Sequence, residues 1–376
     1  MPDMDFSHYK FLLTLPHYQQ KDTIKEQLLK GIKENNMVKY YVDLCEQFKW
    51  PLDQRWVNET TAANQLKLKE LEDKIEDAVK NLGETEVRES HLAKSEFLCR
   101  TGEKDAAESA FRITFEKTVG SGQRLDIVFT LIRMGFFYDD KDLIKRNISK
   151  AKEMIQQGGD WDRRNRLKVY EAYYLMSIRQ FKKSAELFLD TLATFSSEEL
   201  FSYQQNVFYT VLTSIVSLDR VPLKEKVVDS PDVNTVIKSI PHLNDFLRSF
   251  YNSEYSLFFS SLAKITDAMK EDDYCSLHVS YFAREMRIRA YKQYLESYRS
   301  VQLKSIASAF GVSVEFIDRE LSRFISIGRL DCKIDAVGGV VETIRPDAKN
   351  ASYHSTIKHG DNLLNRIQKL SRVIHL

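Results

Sequence analysis

The stretch LKSIASAFGVSVEFIDRELSRFISIGRLDCKIDAVGGVVETI (Leu303–Ile344) decides the fold of this chain. Its opening residues place Leu303, Ile306, Ala307 and Phe310 on one side of a short amphipathic helix. Gly311-Val312-Ser313 turns the chain, and the Ser313 hydroxyl is placed to cap a second helix over Val314–Ile327. There Ile317, Leu321 and Phe324 share a face at the i, i+4, i+7 spacing. Leu330–Asp335 then alternates apolar and polar residues with period two, the pattern of a half-buried strand. Gly338-Gly339 supplies a turn and Val340–Ile344 returns as a second strand. Helix, turn, helix and hairpin predict a winged helix.

The charges of this module argue against nucleic acid. The exposed positions of the second helix read Glu315, Asp318, Arg319, Glu320, Ser322, Arg323 and Ser326. Acids outnumber bases there, whereas a helix entering the major groove needs Arg or Lys for the phosphates. Across Ser300–Arg345, Lys304, Arg319, Arg323, Arg329, Lys333 and Arg345 are balanced by Glu315, Asp318, Glu320, Asp331, Asp335 and Glu342. A balanced surface suits protein partners and leaves nucleic acid unexpected.

Working outward, 376 residues allow two or three domains, and 43% hydrophobic residues can build sizeable cores. A net charge of +1 gives no general pull toward polyanions or anionic membranes. With 13 glycines and 7 prolines the chain is too poor in turn residues for a loop-rich β protein, so helices are expected. Cys45, Cys99, Cys275 and Cys332 lie far apart in apolar patterns, which reads as reduced core thiols. No apolar stretch approaches the ~20 residues of a membrane span, and the acids Asp3 and Asp5 do not fit a signal peptide. A cytoplasmic and nuclear location without membrane contact is expected.

Four regions follow along the chain. Residues 1–85 open with a helical hairpin. Thr23-Ile24-Lys25-Glu26 has capping-box form there, and Ile24, Leu28 and Ile32 share a face. A second helix carries Val38, Tyr41, Val42, Cys45 and Phe48, and Trp50-Pro51 ends it. The charged stretch Ala63–Glu89, with a thin stripe of Leu71, Ile75 and Leu82, reads either as a solvated linking helix or as a partner-binding one. Residues 86–195 repeat, with turns near Gly102, Asp139–Asp140 and Gln180. Gly102 precedes Ala107 and Phe111, and Phe181 precedes Ser184 and Phe188, the small-then-large spacing of tetratricopeptide-like hairpins. Such hairpins must stack on one another, giving a solenoid.

Residues 196–346 continue as helices punctuated by Pro222, Pro231 and Pro241. Lys224–Pro231 is the expected irregular connection, and Tyr281–Arg299 a long packed helix whose cationic face is solvated. Pro346 closes the wing at the end of the module spanning residues 300–346. Residues 347–376 form a last helix, with Leu363, Ile367, Leu370 and Ile374 in one stripe. That stripe packs either on other chains or back on its own domain.

Catalytic motifs are missing: the sequence has no HExxH, GxxxxGK or GxSxG pattern. His354 and His359 stand five apart and do not share a helix face as metal ligands would. No enzyme activity, catalytic residue, metal site, cofactor or small-molecule substrate is expected. The dense cluster Asp160-Trp161-Asp162-Arg163-Arg164-Asn165-Arg166 serves either as a cap with charge pairs across a repeat boundary or as an Arg-rich partner contact.

Helical repeats running into a winged helix resemble the PCI-domain family, which recurs in the proteasome lid, the signalosome and a translation initiation factor. The strings GGDWDRRNRLKVY (Gly158–Tyr170), SAELFLDTLATF (Ser184–Phe195) and REMRIRAYKQYLESYRS (Arg284–Ser300) are similar to subunits of the 26S proteasome regulatory-particle lid. So are AFGVSVEFIDRELSRFISIGRLDCKID (Ala309–Asp335) and LLNRIQKLSRVI (Leu363–Ile374). The resemblance implies that residues 196–346 are the PCI domain and 347–376 a bundle helix. It implies a non-catalytic scaffold, supporting degradation of ubiquitinated proteins, with other PCI-domain lid subunits and the ATPases as partners. The lid's deubiquitinating site belongs to a different family and needs a Glu with clustered His and Asp ligands, which this sequence does not offer. In the family, winged helices associate edge to edge and terminal helices gather in a bundle. The residues implied are therefore Leu330, Cys332, Ile334, Val340 and Val341 for hairpin structure and edge pairing. For the last helix they are Ile357, Leu363, Leu364, Ile367, Leu370 and Ile374. The alternatives are a paralogous signalosome subunit and a nucleic-acid-binding winged-helix adaptor.

Overall fold

The computed structural model describes every residue except 1–3, 17, 19, 159, 345–347 and 375–376, and the side chains at 348–351 also lie outside the description. The chain packs as two units, Met1–Leu247 with Ala263–Phe282, and Arg248–Leu262 with Ala283–Leu376.

The first unit opens with three helices, α1 (Asp5–Thr14), α2 (Lys21–Glu34) and α3 (Val38–Phe48). Their apolar faces meet in a core in which Leu28, Ile32, Met37 and Leu44 are fully buried. The face of Ile24, Leu28 and Ile32 is the one its periodicity predicts, but the capping box is not made. Helix α2 begins before Thr23, whose hydroxyl donates to the Gln20 carbonyl at 2.9 Å instead. The expected hairpin also gains α1, whose Phe6 ring lies against Gly31, where any Cβ would collide with it.

The charged stretch is divided between α4 (Gln54–Asn81) and α5 (Glu84–Arg100). Asp53 starts α4 by accepting from the Trp56 amide at 3.2 Å. Leu71 is buried in α4, Ile75 half-buried and Leu82 exposed at the break. Helix α4 packs along α5, so it is a member of the helical stack rather than a solvated link.

Three hairpins then repeat: α5 with α6 (Lys104–Lys117), α7 (Ser121–Phe137) with α8 (Lys141–Gln156), and α9 (Trp161–Ser177) with α10 (Phe181–Thr191). Each turn is built the same way. Gly102, Asp139 and Arg179 take left-handed φ values of 82°, 52° and 66°. The following amides of Glu103, Asp140 and Gln180 then donate back to Leu98, Gly135 and Leu175 at 3.1, 2.8 and 2.8 Å. This closes helix carbonyls that would otherwise face nothing. Between the helices of a hairpin one small residue admits a large neighbour. Ala107 and Ser184 are the small members in the first and third hairpins, and the Ser184 hydroxyl donates to the Ala172 carbonyl at 2.8 Å. In the middle hairpin the sizes are exchanged: Ile144 stands at that position and Gly135 opposite it is small.

After a 3-10 turn (Leu192–Thr194) come α11 (Tyr203–Ser217), α12 (Arg220–Leu223) and α13 (Pro231–Val236). Helix α11 starts with a true capping box between Ser202 and Gln205. The expected irregular connection at Lys224–Pro231 is largely helical: Lys224–Val228 forms one wide π-type turn anchored by buried Leu223 and Val227, and Pro231 begins α13. Three longer helices follow, α14 (Leu243–Asn252), α15 (Tyr255–Lys270) and α16 (Val279–Glu296), and the boundary between the units runs through them. The first unit is further locked by rings: Tyr173 lies 4.6 Å from Tyr274, 4.9 Å from Phe136 and 5.6 Å from Tyr209 between centroids.

The second unit carries β1 (Ser300–Gln302), α17 (Leu303–Phe310), α18 (Val314–Ser326), β2 (Cys332–Asp335), β3 (Val340–Thr343) and α19 (Ala348–Ile374). Phe310 is its centre, with the rings of Tyr255, Tyr291 and Phe259 at 4.7, 4.9 and 5.1 Å. The Ser313 hydroxyl caps α18 by accepting from the Phe316 amide at 3.3 Å, and Ile317, Leu321 and Phe324 are buried as their spacing predicts. The all-α architecture of helical repeats, winged helix, small sheet and terminal helix is the one expected. The sheet has one strand more than expected, β1. The Pro346 closure lies outside the described residues.

Candidate interaction site

The hairpin residues are sorted by the sheet that β1 completes. The strand order is β1-β3-β2, both pairs antiparallel, so β3 is central and its backbone is used on both sides. Val341 faces inward and sits directly opposite Val301 on one neighbour and Ile334 on the other. Leu330, Cys332 and Val341 are buried, while Ile334 and Val340 are half-buried. Edge pairing through Val340 or Val341 is thereby closed, and β2 is the open edge beside the hairpin. Asp331 accepts from the Ile344 amide at 2.8 Å, which sets the ladder so that Lys333 and Asp335 bond toward β3. The amides and carbonyls of Cys332 and Ile334 point the other way, to the open edge. Lys333 stands opposite Glu342 on the outer face, an opposite-charge cross-strand pair. The Cys332 thiol is pushed up by burial, so it stays protonated and acts as a small core residue.

Helix α18 is less acidic at its surface than its sequence suggests. Glu320 is half-buried; it pairs with Arg287 at 2.8 Å and accepts from the Tyr291 hydroxyl at 2.8 Å. Glu285 of α16 is buried and takes Arg329. With these charges paired within the unit, the exposed acids Glu315 and Asp318 are matched in number by the exposed bases Arg319 and Arg323. What sequence reasoning missed on this helix is apolar: Val314, Phe316 and Ile327 are exposed. The signal was legible in part, because Phe316 falls off the Ile317–Leu321–Phe324 face, whereas Val314 continues that face at the exposed start of the helix.

Helix α19 runs 27 residues, about 40 Å at the usual rise. Leu363, Ile367, Leu370 and Ile374 repeat at spacings of four, three and four, the seam of a helix meant for other helices. All four are exposed by half or more, as are Ile357 and Leu364. Every described side chain from Ser352 to Ile374 is exposed, so the helix does not dock back on its own unit. His354 and His359 lie on this exposed helix, and among the described residues no three His, Cys, Asp or Glu side chains converge as metal ligands.

The Asp160–Arg166 cluster works mainly inside the first unit. Asp160 starts α9 by accepting from the Trp161 amide at 2.7 Å. Arg163 grips Asp126 of the preceding hairpin through two bonds of 3.0 and 2.9 Å. Arg166 reaches Glu199 at 3.5 Å, and the Tyr170 hydroxyl donates to the same carboxylate at 3.0 Å. Only Trp161 and Arg164 of this cluster project outward without such a role. No helix among the described residues is long and apolar enough to cross a membrane.

Comparison with known proteins gives three family matches along the chain. These are "26S proteasome subunit RPN7" over residues 53–226, "PCI domain" over 262–344, and "26S proteasome regulatory subunit RPN7/PSMD6 C-terminal helix" over 353–374. The chain is 53% identical over its full length to 26S proteasome non-ATPase regulatory subunit 6 of Dictyostelium discoideum, covering 98% of that protein. It is 50% identical to the homolog of that subunit in Arabidopsis thaliana, again over its full length and 97% of the relative. With 26S proteasome regulatory subunit RPN7 of Saccharomyces cerevisiae the identity is 37%, over the full chain and 94% of the relative.

Proposed function

The chain belongs to the RPN7/PSMD6 family of 26S proteasome regulatory subunits, and from that premise we propose that it is a non-catalytic scaffold of the regulatory-particle lid. It supports degradation of ubiquitinated proteins by holding other subunits in place. Its partners are other PCI-domain subunits and the ATPases of the particle, and it works in cytoplasm and nucleus. The partition into an N-terminal region (1–85), repeats (86–195), PCI domain (196–346) and bundle helix (347–376) is the functional division we assign to it.

The observation that carries this reading is α19. A helix of 27 residues with a heptad-like apolar seam, exposed along its described length, gains nothing by standing in water. Burying four Leu or Ile side chains on other helices is worth several kcal/mol at about 1.5–3 kcal/mol each. The open β2 edge supplies a second, directional contact through the backbone of Cys332 and Ile334. Phe316 and Ile327, exposed on α18, offer apolar area, and the balanced charges give no grip on phosphates.

The test is Leu363→Asp with Ile367→Asp. The isolated chain keeps its helix content by circular dichroism, because neither side chain is buried in it. Incorporation of the tagged double variant into assembled 26S particles is lost. Loss of fold in the isolated variant, or normal incorporation, overturns the reading.

A further inference from the structure

In the first unit, residues of helices α4, α5, α6 and α7 line a half-open cleft of about 550 Å³ whose lining divides by chemistry. One wall is apolar, made by Leu71, Phe97 and Phe111, all buried. The other is cationic, made by Lys67, Arg100 and Arg133. Arg133 is half-buried; one terminal nitrogen donates to the Thr130 hydroxyl at 3.2 Å, and its buried Nε has no acceptor among the described residues. Among the described residues no carboxylate pairs with Arg133 or Arg100, and Arg100 instead lies over the Phe97 ring at 5.6 Å. A guanidinium drawn out of water without a counter-ion is costly unless something negative joins it. The space in front of it holds two or three side chains.

The lining also sorts the anion. Glu96 at the exposed rim, and the apolar wall, disfavour a polyphosphate, which needs cations on all sides. A single carboxylate next to an apolar side chain matches both walls. We propose that this cavity receives an acidic-apolar peptide segment of a partner protein. One carboxylate of the segment pairs with Arg133, and a neighbouring apolar side chain lies on Phe97 and Phe111. The proposal adds a third contact surface to the assembly reading, on which it rests, and its test does not require the assembled particle.

The experiment is fluorescence polarisation of the full chain with labelled pentapeptides of sequence Ala-Leu-Glu-Leu-Ala and Ala-Leu-Gln-Leu-Ala. The Glu peptide binds about tenfold tighter, the loss of one charge-assisted pair being worth about that factor. Arg133→Met, which keeps the apolar stem, reduces the Glu peptide to the level of the Gln peptide. Ala93→Phe, at the exposed mouth, weakens both peptides without touching the buried wall. If Arg133→Met fails to fold, Arg100→Met at the surface provides the same comparison with a smaller loss. Equal binding of the two peptides overturns the proposal, as does a preference for Glu that survives Arg133→Met. Sodium tripolyphosphate that binds tighter than the Glu peptide also overturns it, in favour of a small-anion site.

Discussion

Asp273 carries a charge that this fold disfavours. Burial, then the neighbouring carboxylates Asp272 and Asp139, raise its pKa to about 6, against a hydrogen bond from the Ser7 hydroxyl and the charge of Lys10. An acid with a raised folded pKa holds its proton in the folded state after the unfolded chain has released it. Stability therefore falls as pH rises from about 4 to 6, and the full penalty persists above 6. Asp273→Asn removes it: at pH 7.5 the variant is more stable by about 1–2 kcal/mol after allowing for partial exposure. The gain shrinks toward zero as pH is lowered through 6 toward 4, which urea unfolding across that range measures; a gain independent of pH contradicts the assignment. His278 acts with the opposite sign. Buried, it accepts from the Arg179 guanidinium at Nδ1 and donates from Nε2 to the Ser177 carbonyl, and its pKa is lowered by burial. The unfolded chain takes up a proton there first, so acid below about 6.5 destabilises the fold at this position. The sequence placed the four cysteines in cores correctly, since apolar neighbours in a helix suffice for that. It could not announce Asp273, whose environment is assembled from α1 and residues near 139 and 272.

At the scale of elements, helix ends were legible wherever a residue type marks them and hidden where geometry alone does. Gly102 and Gly311 end helices in left-handed conformations and were read as turns. Ser253 does the same without any such mark, while Lys49 and Arg179 take that conformation without glycine where Trp50-Pro51 and the turn near Gln180 already point to a helix end. The exchange of Gly135 for a small residue on the opposite helix hid the middle hairpin from the small-then-large pattern. A Cβ on Gly135 would lie 2.7 Å from Ile144 Cγ1. Gly135→Ala is therefore expected to cost about 1–3 kcal/mol by overpacking, and Ile144→Ala alone about 2–5 kcal/mol. The double variant costs less than the sum, and strict additivity in thermal unfolding contradicts the exchange. Strand β1 escaped because Ser300–Gln302 is too short to show a period and its partner lies forty residues on in β3. With β1 in place, β2 is the edge that matters. Ile334→Pro removes an amide that points away from β3, so the winged helix stays folded at a loss of about 1 kcal/mol, while strand addition at β2 is blocked. Binding of partner subunits that is unchanged by Ile334→Pro removes the edge from the interface.

At the scale of the whole molecule, the fold class followed from two periods in the sequence, the hairpin spacing of the repeats and the helix-helix-hairpin order of the wing. Both are local patterns, which is why they survive in one sequence. The division into two packed units did not follow, because it cuts through α14, α15 and α16 and depends on which face of each helix is covered. The exposed seam of α19 was legible as a stripe, but its freedom from its own unit required the structure. Salt-dependent binding to duplex or single-stranded nucleic acid is not expected from a wing whose exposed charges balance, and electrophoretic mobility shifts check it. The central claim is that this chain is built to be held by others. It is tested most directly by native size fractionation of the tagged chain from its own cells, with mass spectrometry of what co-elutes. Co-elution with the proteasomal ATPases and peptide-hydrolysing core subunits is the predicted result, whereas co-elution with cullins, with ribosomal proteins, or as a free monomer contradicts it.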